Sequence, residues 1–402
     1  MSVNRELEYL VIEKNQEIRF SLDFKQEVKV FVDSGSVLLF GCPLQVKHEY
    51  VMRNQSFALS TFDGCTIKVE GSFNSYYICN ISIPEILTSS DYKPCTMIIG
   101  PPCSGKTTFA KWMMNYSCLR VSQTSKVPKQ SSIYVNLDPQ QSYFSPAGCI
   151  GALPISKHIN HIGFPYVNPL VYFFGHLDID ESRASEYRGL IKELSIHVKQ
   201  RQKNAGSQNS GIVIDFPFIK DQSLMQSLCF AIETFEVTHI VCLGDDKTAR
   251  ILAKKYNSVK VIELPTFPGA VIVDRAFKQS LRNQMSQRYF DGDPLLELNP
   301  VSRYHKLKDI KLFSVGGPQR EAETTNFRTL VPVPYSLSLK GSIIAAVNKP
   351  NQMEETWKQN SLTFFYVLSI DEDNGRVELL MPNSNFMSDQ VYLIGSIKYS
   401  IE

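Results

Sequence analysis

Residues 1–88 alternate apolar and polar positions in short runs, and this period of two predicts strands with one buried face. Turn-forming pairs, Ser34-Gly35 and Asp63-Gly64, lie between the runs. The predicted strands span residues 7–12, 17–22, 28–32, 37–40, 65–69 and 76–79. Many short strands joined by tight turns predict a small antiparallel β-sandwich domain at 1–88.

From residue 91 to residue 290 the pattern changes, because apolar runs now alternate with stretches of helical periodicity. The apolar runs lie at residues 96–99, 133–137, 211–215, 239–243 and 259–264. Alternating strands and helices predict a mainly parallel sheet with right-handed crossover connections. We therefore expect a second, α/β domain at 91–290.

Residues 294–402 return to strands and loops. The apolar runs lie at residues 311–315, 329–333, 342–347, 362–368, 376–380 and 390–394. They predict a third, smaller domain of α/β or β type, and we adopt the α/β form. The chain is thus assigned to the α/β class with three domains, and 402 residues are ample for this number.

The clearest chemical motif is the segment GPPCSGKTT at residues 100–108, between a predicted strand and a predicted helix. Its glycines permit backbone torsions that bring amide N–H groups together at the positive end of the helix. Lysine then supplies a charge for the β and γ phosphates, and threonine a hydroxyl for Mg²⁺. This pattern predicts a P-loop NTPase domain that binds a nucleoside triphosphate. The candidate nucleotide-binding residues are Gly100, Cys103, Ser104, Gly105, Lys106, Thr107 and Thr108.

Two predicted strands end in carboxylates, at Asp138 and at Asp215. The carboxyl ends of parallel strands meet at the edge where the phosphate loop opens, so both can face the γ-phosphate. We expect Asp138 to act as a general base and Gln141 to orient water or metal. The candidate metal ligands are Thr107, Asp138, Gln141 and Asp215. The alternative for either aspartate is a cap on the following turn or helix.

Composition narrows the function classes. The 42 basic and 40 acidic residues nearly cancel, so global charge does not indicate nucleic-acid binding. Nine cysteines without a Cys-x-x-Cys pair predict reduced thiols and a reducing compartment, cytosol or nucleus. No apolar run reaches the length of a membrane span, and we expect no membrane partner.

Two further patterns bear on ligands. The segment after residue 243 reads GDDK rather than Asn-Lys-x-Asp, so adenine or no base selectivity is favoured over guanine. His158 and His161 lack a nearby third ligand in the sequence, so a packing role is favoured over a metal site.

Four longer motifs carry a family resemblance, namely YVNLDPQQ at 134–141, PAGCIGALPI at 146–155, PLVYFFG at 169–175 and RYFDG at 288–292. With the three-part domain order, they resemble the polyribonucleotide 5′-hydroxyl-kinase family, most of all its fungal ATP-binding subunits of pre-mRNA cleavage and polyadenylation factor IA. The resemblance implies a nuclear protein with ATP between the P-loop and the sandwich, docked on a scaffold subunit beside other subunits of cleavage factor IA. It assigns Glu17 to the adenine side and places Ser56 where the family has a lysine.

Departures from the family pattern concern the transfer step. Active members have a Thr-x-Gly-Trp clasp, where this chain has Phe216-Pro217-Phe218, and an Arg-x-x-x-Arg lid, where it has Lys278 and Arg282. Lysine does not reproduce the planar fork of arginine on phosphate oxygens. We expect ATP and Mg²⁺ to be bound in a structural or assembly role with little or no kinase activity.

The alternative is an active kinase that transfers the γ-phosphate of ATP to RNA 5′-hydroxyl ends. Its catalytic residues would be Asp138, Lys278 and Arg282, and RNA would then be a partner. A free-standing NTPase switch is a third hypothesis, disfavoured because the sequence shows no glutamine or arginine finger.

Overall fold

The N-terminal part of the molecule is a sandwich of two antiparallel sheets. The computed structural model describes residues 3–23, 26–53, 56–80, 94–123, 131–160, 163–165, 168–205, 209–266, 273–293, 296–316, 330–350, 352–382 and 390–399. The sandwich strands are β1 (Val3–Ile12), β2 (Gln16–Ser21), β3 (Glu27–Gly35), β4 (Leu38–Leu39), β5 (Cys42–Pro43), β6 (Glu49–Arg53), β7 (Phe57–Thr61), β8 (Cys65–Phe73) and β9 (Ser75–Asn80).

One sandwich sheet has the order β1-β8-β3-β6 and the other β5-β4-β7-β2-β9. Between them lies a core of aliphatic and aromatic side chains such as Ile18, Val30 and Leu59, each with no exposed surface. Alternating burial along β3 shows why the period-two pattern forms strands here, since only one face of that strand is covered. The predicted sandwich is confirmed, with β5, β6 and β7 as additional strands.

The central part of the molecule is a seven-stranded sheet flanked by helices. Its strands are β10 (Cys95–Ile99), β11 (Ser131–Asn136), β12 (Cys149–Ile155), β13 (Leu170–Phe173), β14 (Asn209–Asp215), β15 (His239–Leu243) and β16 (Lys260–Leu264). Its helices are α1 (Lys106–Gln123), α2 (Ala184–Ala205), α3 (Gln222–Phe235), α4 (Asp246–Lys255) and α5 (Arg275–Asp291).

The central sheet has the order β13-β12-β11-β14-β10-β15-β16. The five predicted strands pair in parallel, and β12 and β13 extend them by antiparallel pairing on the β11 side. Strand β10 lies in the interior of the sheet and is buried along its whole length, as expected for a parallel strand covered on both faces. Its carboxyl end leads directly into residues 100–105 and then α1.

The C-terminal part is mainly a second seven-stranded sheet, with the order β19-β24-β23-β22-β25-β20-β21. A short hairpin of β17 (Gly292–Asp293) and β18 (Leu296–Glu297) precedes it. Its strands are β19 (Val301–Lys306), β20 (Leu312–Val315), β21 (Leu330–Pro332), β22 (Ser342–Val347), β23 (Ser361–Asp371), β24 (Arg376–Met381) and β25 (Val391–Lys398).

Helical segments among the described residues of this C-terminal part are short 3₁₀ turns at Leu307–Asp309, Leu337–Leu339 and Met353–Lys358. The sequence left an α/β and a β form open for this domain, and we adopted the α/β form. The described residues form a sheet with little helix, which is closer to the β form. No helix in the described parts of the chain is long and apolar enough to span a membrane.

The C-terminal sheet packs directly on the central sheet. The Ser396 amide donates a hydrogen bond to the Gly175 carbonyl at 2.8 Å, and the Ser396 hydroxyl lies 2.8 Å from Nδ1 of His176. Burial lowers the pKa of this histidine to about 4, so it is neutral at physiological pH. A Cβ on Gly395 would lie 1.9 Å from the Gly175 carbonyl oxygen, which explains glycine at this crossing.

Candidate nucleotide-binding site

The loop between β10 and α1 has the backbone geometry that the glycines predict. Gly100 has φ +155° and Gly105 has φ +88°. A Cβ on Gly100 would lie 2.4 Å from the Leu243 carbonyl oxygen and 2.8 Å from the Ser104 hydroxyl, so a larger residue would displace the loop. Cys103, half-buried, also has a left-handed conformation with φ +61°, a strained state for a non-glycine residue. The loop therefore wraps tightly around the start of α1.

Two polar groups of the loop are arranged for an anion. The Lys106 ammonium donates hydrogen bonds to the carbonyls of Gly100 at 2.9 Å and Pro101 at 3.1 Å, so it lies across the loop. The Ser104 hydroxyl is buried and has no hydrogen-bond partner within the described part of the chain. A buried hydroxyl without a partner is costly, and a phosphate oxygen would satisfy it.

Asp215, at the end of β14, lies beside the loop and is 2% exposed. Its Oδ2 accepts hydrogen bonds from the Thr107 hydroxyl at 2.6 Å and the Tyr134 hydroxyl at 3.3 Å. Its Oδ1 is buried without a partner among the described residues. Burial raises the pKa of this carboxyl, and the Lys106 charge opposes that shift. The residue binds Thr107 rather than capping a helix, since α3 begins at Gln222 with Asp221 as its cap.

Asp138 lies two residues beyond the end of β11, and β11 is the strand that pairs with β14. Asn136, in register with Asp215, holds the turn after β11 with bonds from its amide to the carbonyls of Asp138 and Gln141. One carboxylate oxygen of Asp138 accepts the Gln140 amide at 2.9 Å, so Asp138 does cap its own turn. Burial, and then the charge of Asp215, raise the pKa of Asp138 to about 6, in the range useful for a general base.

Gln141 is exposed, and its side-chain oxygen accepts the Tyr143 hydroxyl at 3.3 Å. The same tyrosine hydroxyl interacts with the Thr107 side chain, while burial raises the pKa of Tyr143 far above its ordinary value. Gln141 is thus connected to the metal-ligand candidate Thr107 through a tyrosine rather than placed beside it. Thr108, the last loop candidate, lies half-buried in the first turn of α1.

The predicted lid residues lie on α5, whose first turn is capped by Asp274 through the Phe277 amide at 2.7 Å. Lys278 and Arg282, one turn apart, both interact electrostatically with Asp138, so α5 faces the end of β11. The Arg282 guanidinium also faces Asp178, and it donates to Gln279 of its own helix at 2.8 Å. Its Nε is buried without a partner in the described structure. The structure therefore brings both lid candidates to the candidate site.

The segment at the family's clasp position has a different character. Phe216 is fully buried in the central core, and its amide donates to the Ile98 carbonyl at 3.2 Å. Phe218 is 39% exposed. The Phe216 side chain packs in the core beneath the sheet edge, so the first residue of the clasp segment is unavailable to a substrate.

Glu17 lies on β2 of the sandwich, largely buried. Its carboxylate forms an ion pair with Arg19 and accepts a weak bond from the Cys79 thiol at 3.6 Å. Arg19 in turn donates to the Tyr77 hydroxyl at 3.1 Å. The Ser56 hydroxyl accepts the Leu22 amide at 3.3 Å and so stabilises the sandwich backbone. The adenine-side role of Glu17 remains a prediction.

The histidine pair seen in the sequence gives no metal site in the described residues. His158 is partly buried, and burial lowers the pKa of its side chain. His161 lies outside the described residues. No cluster of three or more His, Cys, Asp or Glu side chains suited to a metal occurs in the parts of the chain that the structure describes.

Sequence reasoning missed the residues that hold the site together. Tyr134 and Tyr187 are fully buried, and the Tyr187 hydroxyl donates to the Leu137 carbonyl at 2.7 Å, just before Asp138. A tyrosine on an apolar helix face resembles an ordinary core residue, so nothing marked Tyr187. Tyr134 was marked only as the first residue of the YVNLDPQQ motif, without a role. Asn136 was detectable in principle, since an asparagine two residues before a strand-end aspartate is typical of a turn.

The residues present fit a nucleotide with its metal. Mg²⁺ prefers hard oxygen ligands, and the Thr107 hydroxyl, the unpartnered Asp215 Oδ1 and the Asp138 carboxylate supply them at one sheet edge. The orphaned Ser104 hydroxyl and the Lys106 ammonium serve phosphate oxygens. The arrangement can bind a triphosphate, and Asp138 can accept a proton near neutral pH.

Three family models match successive parts of the chain. Residues 11–92 match the N-terminal beta-sandwich domain of polyadenylation factor, and residues 100–292 match the mRNA cleavage and polyadenylation factor CLP1 P-loop. Residues 298–400 match the model of pre-mRNA cleavage complex II protein Clp1. Together these models extend over nearly the whole sequence.

Curated relatives and solved structures agree with this match. Protein CLP1 homolog of Anopheles gambiae is 27% identical over 96% of each chain. The mRNA cleavage and polyadenylation factor clp1 of Botryotinia fuckeliana is 24% identical over 96% of this chain and 92% of its own. Clp1p in its wild-type complex with Pcf11p has the same fold, with TM-score 0.82, 22% identity and 99% of both chains covered.

A second solved structure has TM-score 0.80 and 22% identity, and covers 98% of this chain and 99% of its own. It is described as an extended interface between Pcf11p and Clp1p and the structural basis for ATP loss in a glycine-to-arginine point mutant.

Proposed function

Because the chain belongs to the Clp1 family of mRNA cleavage and polyadenylation factors, we propose that it is an ATP-binding subunit of the nuclear pre-mRNA 3′-end processing machinery. In this proposal ATP and Mg²⁺ have a structural or assembly role, and kinase activity is low or absent. The relatives take part in mRNA cleavage and polyadenylation by name, which is a nuclear process and supports a nuclear location.

The observation that carries the proposal is the pair of buried, unpartnered oxygens at the phosphate loop. The Ser104 hydroxyl and Asp215 Oδ1 both lie in a site where Lys106 and Thr107 are already oriented. Without a ligand, each buried oxygen costs about 1–3 kcal/mol. A triphosphate with its metal would satisfy both groups at once, so ATP binding would stabilise the folded protein.

Each residue has a definite part in this proposal. Lys106 and the loop amides would bind the phosphates, while Thr107, Asp215 and Asp138 would hold Mg²⁺ directly or through water, with Gln141 in support. Bound Mg²⁺ would supply neutralisation of phosphate charge. Glu17 on the sandwich would face the adenine. At an ATP concentration of ~1,000 Kd, binding adds about 4 kcal/mol to stability.

For assembly, we propose that the chain docks on a scaffold subunit of cleavage factor IA. The two similar solved structures are of Clp1p with Pcf11p, which supports a partner of that kind. We also propose domain boundaries at 1–88, 91–290 and 294–402, consistent with the separate sandwich, central and C-terminal sheets. The role of other subunits and of RNA is part of the proposal.

The proposal is tested by the nucleotide that the purified protein retains. The protein, supplied with Mg²⁺ and ATP and then desalted, is denatured and its nucleotide identified by chromatography. We expect near-stoichiometric intact ATP in the wild type and none in Lys106→Ala. Recovery of ADP alone, or no nucleotide in either protein, would contradict a stable ATP-bound subunit.

A second candidate function is 5′-hydroxyl kinase activity on RNA. It is favoured by the raised pKa of Asp138, about 6, and by the approach of Lys278 and Arg282 to this carboxylate. A base poised near neutral pH is what proton removal from a ribose hydroxyl requires. The buried Phe216 at the clasp position and the single lid arginine weigh against it.

A further inference from the structure

The sandwich touches the phosphate-binding helix through a strained two-residue turn. Phe40 and Gly41 connect β4 to β5, with φ of +47° and +76°. Two successive positive φ values define a type I′ hairpin turn, for which a bulky residue such as phenylalanine is unfavourable. A Cβ on Gly41 would lie 3.1 Å from Asn115 Cβ and 3.3 Å from the Trp112 carbonyl oxygen. The turn is thus pressed against α1.

Asn115 fastens this contact. Its side chain has no exposed surface, and its amide nitrogen donates to the Phe40 carbonyl at 2.8 Å and the Ile159 carbonyl at 2.9 Å. Its oxygen accepts the Ile159 amide at 2.6 Å. The Lys111 ammonium, one turn earlier on α1, lies 5.9 Å from the Phe40 ring centroid. A buried, fully bonded amide of this kind fixes one relative position of the elements that it joins.

The same turn leads by strand pairing to Glu17. Leu38, two residues before Phe40, pairs with Ser60 on β7, and Ser60 pairs with Glu17 on β2. At its other end the joint leads to the phosphate loop, because Asn115 lies nine residues after Lys106 on α1, about 13 Å along the axis. Strand pairing on the sandwich side and α1 on the other side therefore connect Glu17 to the phosphate loop through the contact of Asn115 with Phe40.

We propose that Asn115 and the turn at Phe40 and Gly41 form a positioning joint that sets the distance between Glu17 and the phosphate loop. The joint lets one ligand contact both, and thereby favours a nucleotide with its base over a bare triphosphate. This inference rests on the proposed ATP-binding function and assigns to it a specificity determinant outside the binding residues. Strain stored at Phe40 is consistent with such a role, since strained backbone persists where the surroundings hold it.

The test compares Mg-ATP with Mg-tripolyphosphate, which has the phosphates but no base, by calorimetric titration of the full chain. Gly41→Ala forces the turn away from α1 and leaves all proposed ligand contacts in place. We expect it to weaken Mg-ATP about tenfold and Mg-tripolyphosphate less than about twofold. Asn115→Ala, which removes the clamp from the helix side, should give the same selective loss.

Gly64→Ala is the matched control. Gly64 also has a positive φ in the sandwich, +96°, but a Cβ there would meet nothing closer than 3.6 Å and lies against Ile12 and Lys14 rather than α1. Gly64→Ala therefore introduces a comparable backbone strain without disturbing the joint. The ratio of its affinities for Mg-ATP and Mg-tripolyphosphate should stay at the wild-type value.

The outcomes separate the two levels of the proposal. Wild-type protein that does not bind Mg-ATP overturns the proposed function, and the joint with it. Wild-type binding with an unchanged affinity ratio in Gly41→Ala overturns the joint alone, as does equal weakening of both ligands. If Asn115→Ala does not fold, as judged by circular dichroism, Gly41→Ala decides the question.

Discussion

The phosphate loop and the lid helix α5 approach the same carboxylates but differ in how they are completed. At the loop, the side chains of Lys106 and Thr107 form hydrogen bonds within the described structure. The buried side-chain oxygens Ser104 Oγ and Asp215 Oδ1 have no hydrogen-bond partner there. On α5, Arg282 binds Gln279 of its own helix, and a lysine stands at the other lid position. The loop is built as a binding site, whereas the lid lacks the paired arginines that stabilise a transferring phosphoryl group.

This difference teaches that nucleotide binding and phosphoryl transfer depend on separable parts of the fold. In this account binding depends on the β10–α1 loop and the end of β14, where Ser104 and Asp215 are buried. Transfer would depend on α5 and on the segment after β14, where Phe216 now packs in the core. Substitutions on the two sides should therefore have different consequences.

The largest expected effect is on the loop side. Lys106→Ala removes the charge nearest the phosphates, and a hydrogen bond to a charged group contributes about 1.5–3 kcal/mol. We expect the Kd for Mg-ATP to rise about 100-fold in calorimetric titration, since 1.4 kcal/mol is tenfold. Lys255→Ala, at an exposed lysine ending α4, is the control and should bind normally. Normal binding by Lys106→Ala would place the ligand elsewhere.

Loop geometry gives the next effect. Gly100→Ala inserts a Cβ 2.4 Å from a backbone oxygen, so the loop must shift and both ATP affinity and melting temperature should fall. Overpacking of this kind costs about 1–3 kcal/mol. Gly375→Ala is the control, because φ at Gly375 is also positive but an added Cβ there would meet nothing within 4 Å. Equal ATP affinity in the two variants would show that the loop conformation does not matter for binding.

On the lid side, we expect one substitution to increase phosphoryl transfer rather than reduce it. Lys278→Arg restores the paired arginines, so we expect γ-phosphate transfer to a 5′-hydroxyl oligoribonucleotide to rise about tenfold over the wild-type background. ATP affinity should not change. Lys278→Gln, which adds hydrogen-bonding capacity without charge, is the control and should not raise transfer. An unchanged rate in Lys278→Arg would show that the lid is not what limits transfer.

The smallest effect concerns Asp138. Its folded pKa, about 6, lies above the ordinary value of 3.8, so the folded state binds the proton more tightly than the unfolded state. Ionisation therefore costs stability, and the free energy of unfolding should fall as pH rises from about 4 to about 6. Asp138→Asn cannot ionise and keeps the oxygen that accepts the Gln140 amide.

We expect nucleotide-free Asp138→Asn to be more stable than wild type by roughly 1 kcal/mol at pH 7.5 in urea denaturation, with a smaller difference at pH 5. The same stabilisation at both pH values, or destabilisation at pH 7.5, would contradict the raised pKa.

Much of the fold could be predicted from periodicity. Short alternating runs gave most of the sandwich, and continuous apolar runs gave the five parallel strands. Strand β12 was missed because it is buried throughout and contains Gly151 and Pro154, so it shows neither alternation nor ordinary strand composition. Strands β6 and β7, five residues each, were not predicted, although β6 alternates exposed and buried positions.

Some residues of the candidate site could likewise be predicted from the sequence, and others could not. The phosphate loop was predictable because its glycines, lysine and threonine are required by local backbone geometry or ligand chemistry. Asn115 was not, since a lone asparagine in a helix is typical of a solvated face, and only the tertiary structure brings Phe40 and Ile159 to it. The approach of α5 to Asp138 likewise depends on long-range packing that no local pattern encodes.

The central claim is that this site holds ATP and does not turn it over. Its most direct test is a single-turnover experiment in which the protein, in excess over γ-labelled Mg-ATP, is mixed with a 5′-hydroxyl oligoribonucleotide. We predict that the label stays on intact, protein-bound ATP, as it does in Asp138→Ala controls that retain binding. Transfer of label to the RNA by wild type, abolished in both Lys106→Ala and Asp138→Ala, would contradict the account and establish an active kinase.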